Sequence, residues 1–404
     1  MADSNNSLTA FNPDYWTPTM QETFFKESVA LGIASTELRA DLKDGDTLHK
    51  PYGGYAKVQT YTKGADISVR DISSSDDYLT VSTAKVASFY VDDIDRVQNK
   101  YDAIKEFASG AMKQLNNVLD QAVVYYGVTY AATTLTGASI GEAAGPIVFT
   151  TANCANVFTA AGRVLNTANR TGGERFALIG PRMLETLQQY VGGRETGFGD
   201  TVSDNGRVAN RFGFGLRLSN NLYFTATLTT SGTWLTTETV TINGVTFTAI
   251  DTASTAGDVD LGANPAAFTA LLVKAINDDT TAHDTATTWY QLSDENRQLL
   301  DSAGIVAVDH TTYITITGYG DIVVSETCAD VGAANVWSVQ YQYALMGQVG
   351  SIDLVTQVSP NVVFRDAQLR LGKYVHPWML YGLKVWERMK KNLVAVRMDA
   401  STWV

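Results

Sequence analysis

The chain has 404 residues, of which 45% are hydrophobic and 18% charged: enough apolar material for a packed core, and too little charge for a disordered polymer. Two cysteines, Cys154 and Cys328, exclude a disulfide scaffold, and four histidines (His49, His283, His310 and His376) leave little material for a zinc centre or an imidazole-based catalytic site. Thirty basic residues against 42 acidic ones, a net charge of −12, argue against a surface that grips nucleic acid throughout.

The N-terminus lacks the basic and apolar regions of a signal peptide, and no stretch approaches the roughly 20 apolar residues of a membrane span. A soluble protein made in a cytoplasm, with no membrane partner, is the expectation. Residues 1–47 read as an arm. Thr17-Pro18 supplies a helix start, and Met20, Phe24 and Leu31 share one face of a short helix that stops at Gly32. The pattern then changes to period two. Residues 55–62 and 67–72 read as strands joined by a turn over 63–66. Alternation leaves both faces of this ribbon partly polar, and an isolated two-stranded ribbon is marginal in water. It either folds back on the body or is held by another molecule. After a loop at 73–77, residues 78–91 form another extended run.

The strongest periodic signal follows. Val97, Tyr101, Ile104, Ala108, Ala111, Leu115, Val118 and Ala122 recur in alternating steps of four and three, the mark of a single helical stripe. Asp92, Asp93 and Asp95 complement the helix N-terminus and Gly127 offers a stop. A helix over 95–126 spans about 48 Å, with one side against a sheet and the other polar and open. A second helix is expected near 155–168, then a buried strand at 176–179, a turn at Gly180-Pro181 and a further helix. A glycine-rich turn and a strand complete 207–224.

Residues 225–335 hold two basic residues, Lys274 and Arg297, against fourteen acidic ones. This segment carries all of the net charge, and the remaining 28 bases and 28 acids balance. Asn243-Gly244 between alternating strands signals a hairpin with a type I′ turn, and Asn264-Pro265 caps a helix to about Asn277. Residues 313–326 read as a second hairpin. The result is a β-β-α-β-β module within the size range of a domain. The strand ending near Phe224 and the one resuming near Val336 are expected to be neighbours, which makes the module an insertion. The remainder, to the C-terminus, is mostly extended.

One formal catalytic pattern occurs. Gly137-Ala138-Ser139-Ile140-Gly141 fits G-x-S-x-G, but Gly145-Pro146 breaks any following helix and no oxyanion segment precedes it. A loop is the favoured reading, with a serine hydrolase using Ser139 as the alternative from another functional class. Phosphate-loop, H-E-x-x-H, C-x-x-C and EF-hand patterns are absent. Arg388, Lys390 and Lys391 read as a solvated face. No catalytic residue, cofactor-binding residue or metal ligand is assigned, and the chain is read as a structural protein rather than an enzyme.

The order and wording of the elements resemble the major capsid protein of tailed double-stranded-DNA bacteriophages. GDTLHKPYGGYAKVQTYTKGADISVRDI looks like that family's extended loop, or E-loop, and FYVDDIDRVQNKYD like the entry to its spine helix. ERFALIGPRMLETL and GFGLRLSNNL look like its A-domain core, and YGLKV with LVAVRM like its last P-domain strands. The resemblance implies a mixed α+β capsid-shell fold, of the tailed-phage and herpesvirus type. It divides the chain into an N-terminal arm (1–47) and an E-loop with flanking strands (48–94). A P-domain with the spine helix follows (95–150 and 350–404), then an A-domain (151–224 and 336–349) and the acidic insertion (225–335). It also implies self-assembly into hexamers and pentamers of an icosahedral shell around packaged double-stranded DNA, held without sequence specificity. A scaffolding protein is an expected partner, because the E-loop starts by residue 48 and leaves no room for a long assembly domain. A portal is expected too, with a decoration protein as an optional partner. The implied location is the virion capsid, assembled in the host cytoplasm. An encapsulin-like compartment holding enzyme cargo is the alternative within the same fold.

Trp16, Phe24, Phe25, Lys57, Tyr61, Lys63, Asp66 and Arg70 are the candidate inter-subunit contacts. Some members of the family crosslink an E-loop lysine to an asparagine of a neighbour. Lys57, Lys63 and Asn361 are the candidates here, and non-covalent contact is the favoured reading.

Overall fold

The computed structural model describes residues 26–401 apart from 41, 43–44, 57, 65, 68, 70, 99–102, 171, 194–209, 211, 279–287, 329–334 and 369. The helix start at Thr17-Pro18 lies outside the described residues, and Leu31 and Gly32 sit in a 3-10 turn, Ala30–Ile33. Strands β1 (Thr47–His49) and β2 (Tyr52–Gly53) lead out along the chain, and β3 (Ser74–Ser75) and β4 (Tyr78–Thr80) lead back. β5 (Thr83–Val86), β6 (Phe89–Asp92), α1 (Asp93–Gln98) and α2 (Ala103–Thr129) follow. The middle of the chain forms β7 (Thr133–Leu135), α3 (Cys154–Thr167), β8 (Arg175–Ile179), α4 (Pro181–Gly192) and β9 (Gly215–Leu218). β10 (Tyr223–Thr229) opens the acidic stretch. That stretch continues through β11 (Thr239–Ile242), β12 (Val245–Ile250), β13 (Asp258–Asp260), α5 (Pro265–Asn277), α6 (Asp294–Ser302), β14 (Val306–Asp309), β15 (Tyr313–Tyr319) and β16 (Val324–Glu326). β17 (Trp337–Gln348), β18 (Asp353–Asp366), β19 (Gly372–Lys384) and β20 (Leu393–Asp399) close the chain. The architecture is mixed α+β, as the pattern implied.

Three sheets carry the mass. The body sheet runs β14-β15-β10-β17-β20-β7, and the far half of β17 also pairs β8, which pairs β9. A second sheet joins the long strands β18 and β19, with β5 and β6 side by side along β19. A third, β13-β12-β11-β16, lies wholly within the acidic stretch. β10 and β17 are neighbours, with Tyr223 opposite Tyr343 and Leu228 opposite Trp337; the strand expected to end near Phe224 is instead two, β9 ending at Leu218 and β10 starting at Tyr223 within the acidic stretch.

Local chemistry explains several elements. Asn243 (φ 51°) and Gly244 (φ 82°) take the left-handed pair of a type I′ turn between β11 and β12. The Asn264 side chain accepts from the Ala267 amide at 2.9 Å and caps α5, with Pro265 at its first position. Residues 313–326, however, are not a hairpin: β15 pairs β10 and β14 in the body sheet, whereas β16 pairs β11 in the small sheet. Alternation specifies a strand and its faces, not the strand beside it.

The long helix also departs from the stripe. Val97 and Phe107 are exposed, although α1 lies beside β6 and β19 and the Phe107 ring meets Phe89 of β6 with centroids 6.1 Å apart. From Leu115 to Val128 nearly every position is buried or half-buried, including Asn117, Asp120 and Gln121. Gly127 does not end the helix. A Cβ there would lie 2.4 Å from Leu345 Cδ2 and 3.1 Å from Ile352 Cδ1, so glycine permits the close approach of α2 to β17.

The apolar interior falls into separate clusters. The largest joins α2, α3 and α4 to β8, β17 and β20 through residues such as Leu119, Phe158, Phe176, Leu345 and Val394. A second fills the acidic stretch with Phe247, Phe268, Trp289, Ile314 and Trp337. β10 belongs to both, with Phe224, Ala226 and Leu228 facing the second cluster and Tyr223 packed on the first. The outer edge of β14 is closed by a side chain: Asn277 Nδ2 donates to the Ala307 carbonyl at 2.8 Å, and the Ala307 amide donates to Asn277 Oδ1 at 2.9 Å. That pairing blunts an edge otherwise open to strand addition.

Phe268 is buried and packs on Trp234 with ring centroids 4.6 Å apart. Phe268→Ala should cost about 3–5 kcal/mol. Amide exchange should accelerate in β11–β13 and α5 while β8 and β20 keep their protection. Equal acceleration in all of these would show that the two clusters unfold as one.

Candidate functional site

The most conspicuous surface is the ribbon between β2 and β3. Its root is paired, with Tyr52 opposite Ser75, Gly53 opposite Ser74, and the Gly54 amide donating to the Ser73 carbonyl at 3.0 Å. Beyond the root the expected strands at 55–62 and 67–72 do not form: no described residue from 54 to 72 is in a strand. The alternation is real, but without a third surface a two-stranded ladder does not repay the ordering of its backbone. The tip turns at Lys63-Gly64, with Gly64 at φ 84° and its amide donating to the Tyr61 hydroxyl at 3.4 Å. Tyr55, Val58 and Val69 are 89%, 93% and 87% exposed. Tyr61, Ile67 and Ile72 are also exposed, so the ribbon displays a run of large apolar side chains that touch little of their own chain.

The root is held tightly. β1 pairs β4 in register from Thr47 opposite Thr80 to His49 opposite Tyr78, and His49 Nδ1 lies 2.5 Å from Asp76. Asp77 accepts from Lys384 Nζ at 2.6 Å, from the Glu387 amide at 3.1 Å and from the Tyr78 amide at 3.0 Å. Burial opposes its charge, yet these donors outweigh burial and hold the carboxyl below its usual range. Arg388 donates to the Gly53 carbonyl and lies over the rings of Tyr52 and Tyr55, 5.4 and 5.3 Å from their centroids. Arg388 is exposed and, through these contacts, clamps the root of the ribbon. No local signal in KVWERMKKN marks this role, because its partners lie more than 330 residues away.

The described part of the arm is a strap across the body. Lys26 Nζ donates to the Tyr319 carbonyl at 2.8 Å, at the exit of β15. Burial pulls its pKa down to about 8 against the opposing pull of Asp321. The Leu31 amide donates to Asp120 Oδ1 at 3.1 Å, and Asn221 Nδ2 bridges Asp120 at 2.9 Å and Asn117 at 2.7 Å. Burial raises the Asp120 pKa, and the bonds from Asn221 and the Leu31 and Ala30 amides oppose that rise. Ser35 then joins the start of β18, donating to the Ile352 carbonyl and accepting from the Leu354 amide, both at 2.8 Å.

Of the candidate contact residues, Tyr61, Lys63 and Asp66 lie on the exposed ribbon. Trp16, Phe24, Phe25, Lys57 and Arg70 lie outside the described residues. Asn361 is exposed on β18, opposite Trp378 of β19. Ser139 closes a 3-10 turn, Gly137–Ile140, where its hydroxyl accepts from the Thr136 amide at 3.1 Å and its carbonyl accepts from Arg163. That is a turn cap, with no strand–turn–helix elbow around it. Among the described residues, no three histidine, cysteine or acidic side chains cluster as metal ligands, and no helix is long and apolar enough to cross a membrane.

The Asp77 contacts make the root acid-sensitive. Its folded pKa lies below the ~3.9 of an unfolded aspartate, so the stabilisation is complete above about pH 4 and is lost as pH falls through the folded value. Hydrogen exchange at residues 74–80 should accelerate on acidification in the parent protein. Asp77→Asn should exchange fast at every pH. Identical profiles for the two proteins would remove Asp77 from the account.

No protein-family model matches the sequence, and no curated protein matches it. Solved structures do match over nearly the whole length. A chain from Mycobacterium phage Che8 is 15% identical with a TM-score of 0.59, covering 97% of both chains. A chain from the capsid structure of the cyanophage P-SCSP1u is 12% identical with a TM-score of 0.55, covering 98% of this chain and 95% of that one. A chain from the head structure of Helicobacter pylori bacteriophage KHP40 is 9% identical with a TM-score of 0.50, covering 99% and 98%. With its strap, exposed ribbon, long helix and paired long strands, the chain has the fold of phage capsid shells.

Proposed function

We propose that the chain is the structural subunit of an icosahedral phage capsid, assembling as hexamers and pentamers around packaged double-stranded DNA, and that it performs no reaction. The ribbon carries this reading: an exposed apolar run, anchored firmly at its root and bare along its length, is a surface that only another molecule buries. The likeness to phage capsid structures over the whole chain makes that molecule a neighbouring copy. Ordering such an appendage costs about 1–2 kcal/mol of backbone entropy per residue, which contacts between copies offset.

Within this reading the strap is the N-terminal arm, α2 the spine helix, the β18–β19 sheet with β20 the P-domain, and β8 and β17 the A-domain core. Residues 225–335 are an added unit on the A-domain. Their net charge of −12 supports an outward position, since that charge facing packaged DNA is repelled at short range. A scaffolding protein, a portal and an optional decoration protein complete the assembly, which takes place in the host cytoplasm.

Electron microscopy of the purified protein, alone and with scaffold, is the direct test: closed particles or capsomers are expected. A stable monomer as the only species at high concentration would contradict the proposal. Lys63→Glu at the ribbon tip should reduce particle yield and leave the unfolding transition of the unassembled chain unchanged. A parallel loss of both would make the ribbon an ordinary part of the fold.

A further inference from the structure

The chain passes from the body sheet to the small sheet between Tyr319, the end of β15, and Val324, the start of β16. This crossover is a tight corner. The Gly320 amide donates to the Leu222 carbonyl at 2.8 Å, and the Ile322 amide to the Gly320 carbonyl at 3.1 Å. Gln342 Nε2 donates to the Gly320 carbonyl at 2.9 Å and to Asp321 Oδ1 at 2.8 Å. The Asn243 amide, in the β11–β12 turn, donates to the Val323 carbonyl at 2.8 Å, so the corner also holds the small sheet.

Lys26 enters this corner from the arm. A cavity of about 220 Å³ lies there, walled mostly by the acidic stretch, with Pro181 of α4 and Asn220 on the body side. Lys26 is part of its lining, and the ammonium donates to the Tyr319 carbonyl at 2.8 Å. Gly320 leaves room for it: at φ 114°, a Cβ there would lie 3.2 Å from Lys26 Nζ and 2.8 Å from the Asn220 carbonyl oxygen. Further along the strap Ala30 is fully buried, and the Leu31 amide is bonded to Asp120 of α2. One end of the strap is thus fixed on α2, and the other is seated between the two sheets.

The two attachments differ in kind. The end at 30–35 buries Ala30 and Ile33 and bonds to both α2 and β18. The Lys26 end rests on one hydrogen bond among the described residues, and its charge is poorly compensated. Asp321 is the carboxylate that acts on it, but Asp321 also serves Gln342 and Arg182 of α4, 3.9 Å away. Burial keeps the Tyr319 phenol neutral, Asp301 of α6 pairs with Arg297, and Glu27 beside Lys26 is exposed. Asn220, Asn243 and Ser302 in the wall carry no charge. Burial therefore outweighs Asp321 and pulls the Lys26 pKa down to about 8.

We infer that Lys26 is a latch between the N-terminal arm and the acidic stretch: seated, it braces the corner between the body sheet and the small sheet, and withdrawn, it loosens that corner. The coupling is reciprocal, so whatever draws the arm away weakens the attachment of the small sheet, and whatever fixes that attachment favours the seated arm. The latch acts within one chain, whether or not chains assemble. Seating it also releases a proton. A free lysine titrates near ~10.4, so below about pH 8 both forms are charged and the burial penalty is complete. Between about pH 8 and 10 the seated amine is neutral while the withdrawn one is charged, and the seated form gains as pH rises through that window.

Hydrogen exchange of the full chain, corrected for intrinsic rates, tests the latch with Lys26→Glu and Lys26→Met. Lys26→Glu sets a carboxylate against Asp321 and the Tyr319 carbonyl and unseats the arm. The amides of Asn243, Gly320 and Ile322 should then exchange roughly tenfold faster near neutral pH, with β8 and β20 unchanged. In the parent, protection of these three amides should rise from about pH 7.5 to 9.5. Lys26→Met has a side chain of similar length that does not titrate, and should lack that rise. Unchanged exchange at the three amides in Lys26→Glu overturns the inference. Equal acceleration throughout the chain does so too, because Lys26 is then one contribution to overall stability and not a latch. A rise in Lys26→Met equal to the parent's overturns the coupling to a proton. If Lys26→Glu does not fold, Lys26→Ala, which removes the ammonium without adding a charge, decides by the same criteria.

Discussion

The second half of α2, from Leu115 to Val128, is buried or nearly so all round, and the other elements take their positions from it. The body sheet approaches so closely at Gly127 that a single Cβ would meet Leu345 and Ile352. The β18–β19 sheet lies along another flank, and the arm crosses over a third at Ala30–Ile33. Three polar side chains, Asn117, Asp120 and Gln121, are enclosed in this helix. A carboxylate at zero exposure is tolerated here because Asn221 and the Leu31 amide donate to it. These bonds tie the arm and the entry to β10 to α2.

A well-ordered body stands in contrast to a ribbon that it does not cover. The ribbon's root uses charged and aromatic anchors, Asp77 with Lys384 and Arg388 with Tyr52 and Tyr55, drawn from the far end of the chain. Among its described residues from 54 to 72 none is in a strand, and Tyr55, Val58 and Val69 are almost fully exposed. A firm hinge point with an unsatisfied outer segment suits an element that completes its contacts on a neighbour. The acidic stretch follows a different logic. It fills its own core, continues the body sheet through β15 and β14, and seals its free edge with Asn277.

Much of this was legible in the linear chain. The Asn243-Gly244 hairpin, the Asn264-Pro265 cap, and the helices near 155–168 and after Gly180 all follow from short-range rules of turn, cap and alternation. The misreadings share a cause. The 313–326 hairpin fails because β15 and β16 find partners in different sheets. The polar face of α2 is buried because donors from distant residues meet it. The ribbon strands fail for want of a third surface. Arg388 is exposed, as read, but its contacts with Tyr52 and Tyr55 escape notice because those rings lie at the other end of the sequence.

The sequence by itself determined where elements begin and end, which faces are apolar, and that one segment holds all the net charge. These depend on residues within a turn or two of each other, or on simple sums. The tertiary structure alone decided which strands distant in the sequence are neighbours, which polar groups are enclosed, and which apolar side chains are left bare. Those outcomes depend on groups hundreds of residues apart being brought within about 3–5 Å, a distance at which hydrogen bonds and ring contacts act and to which sequence periodicity carries no information.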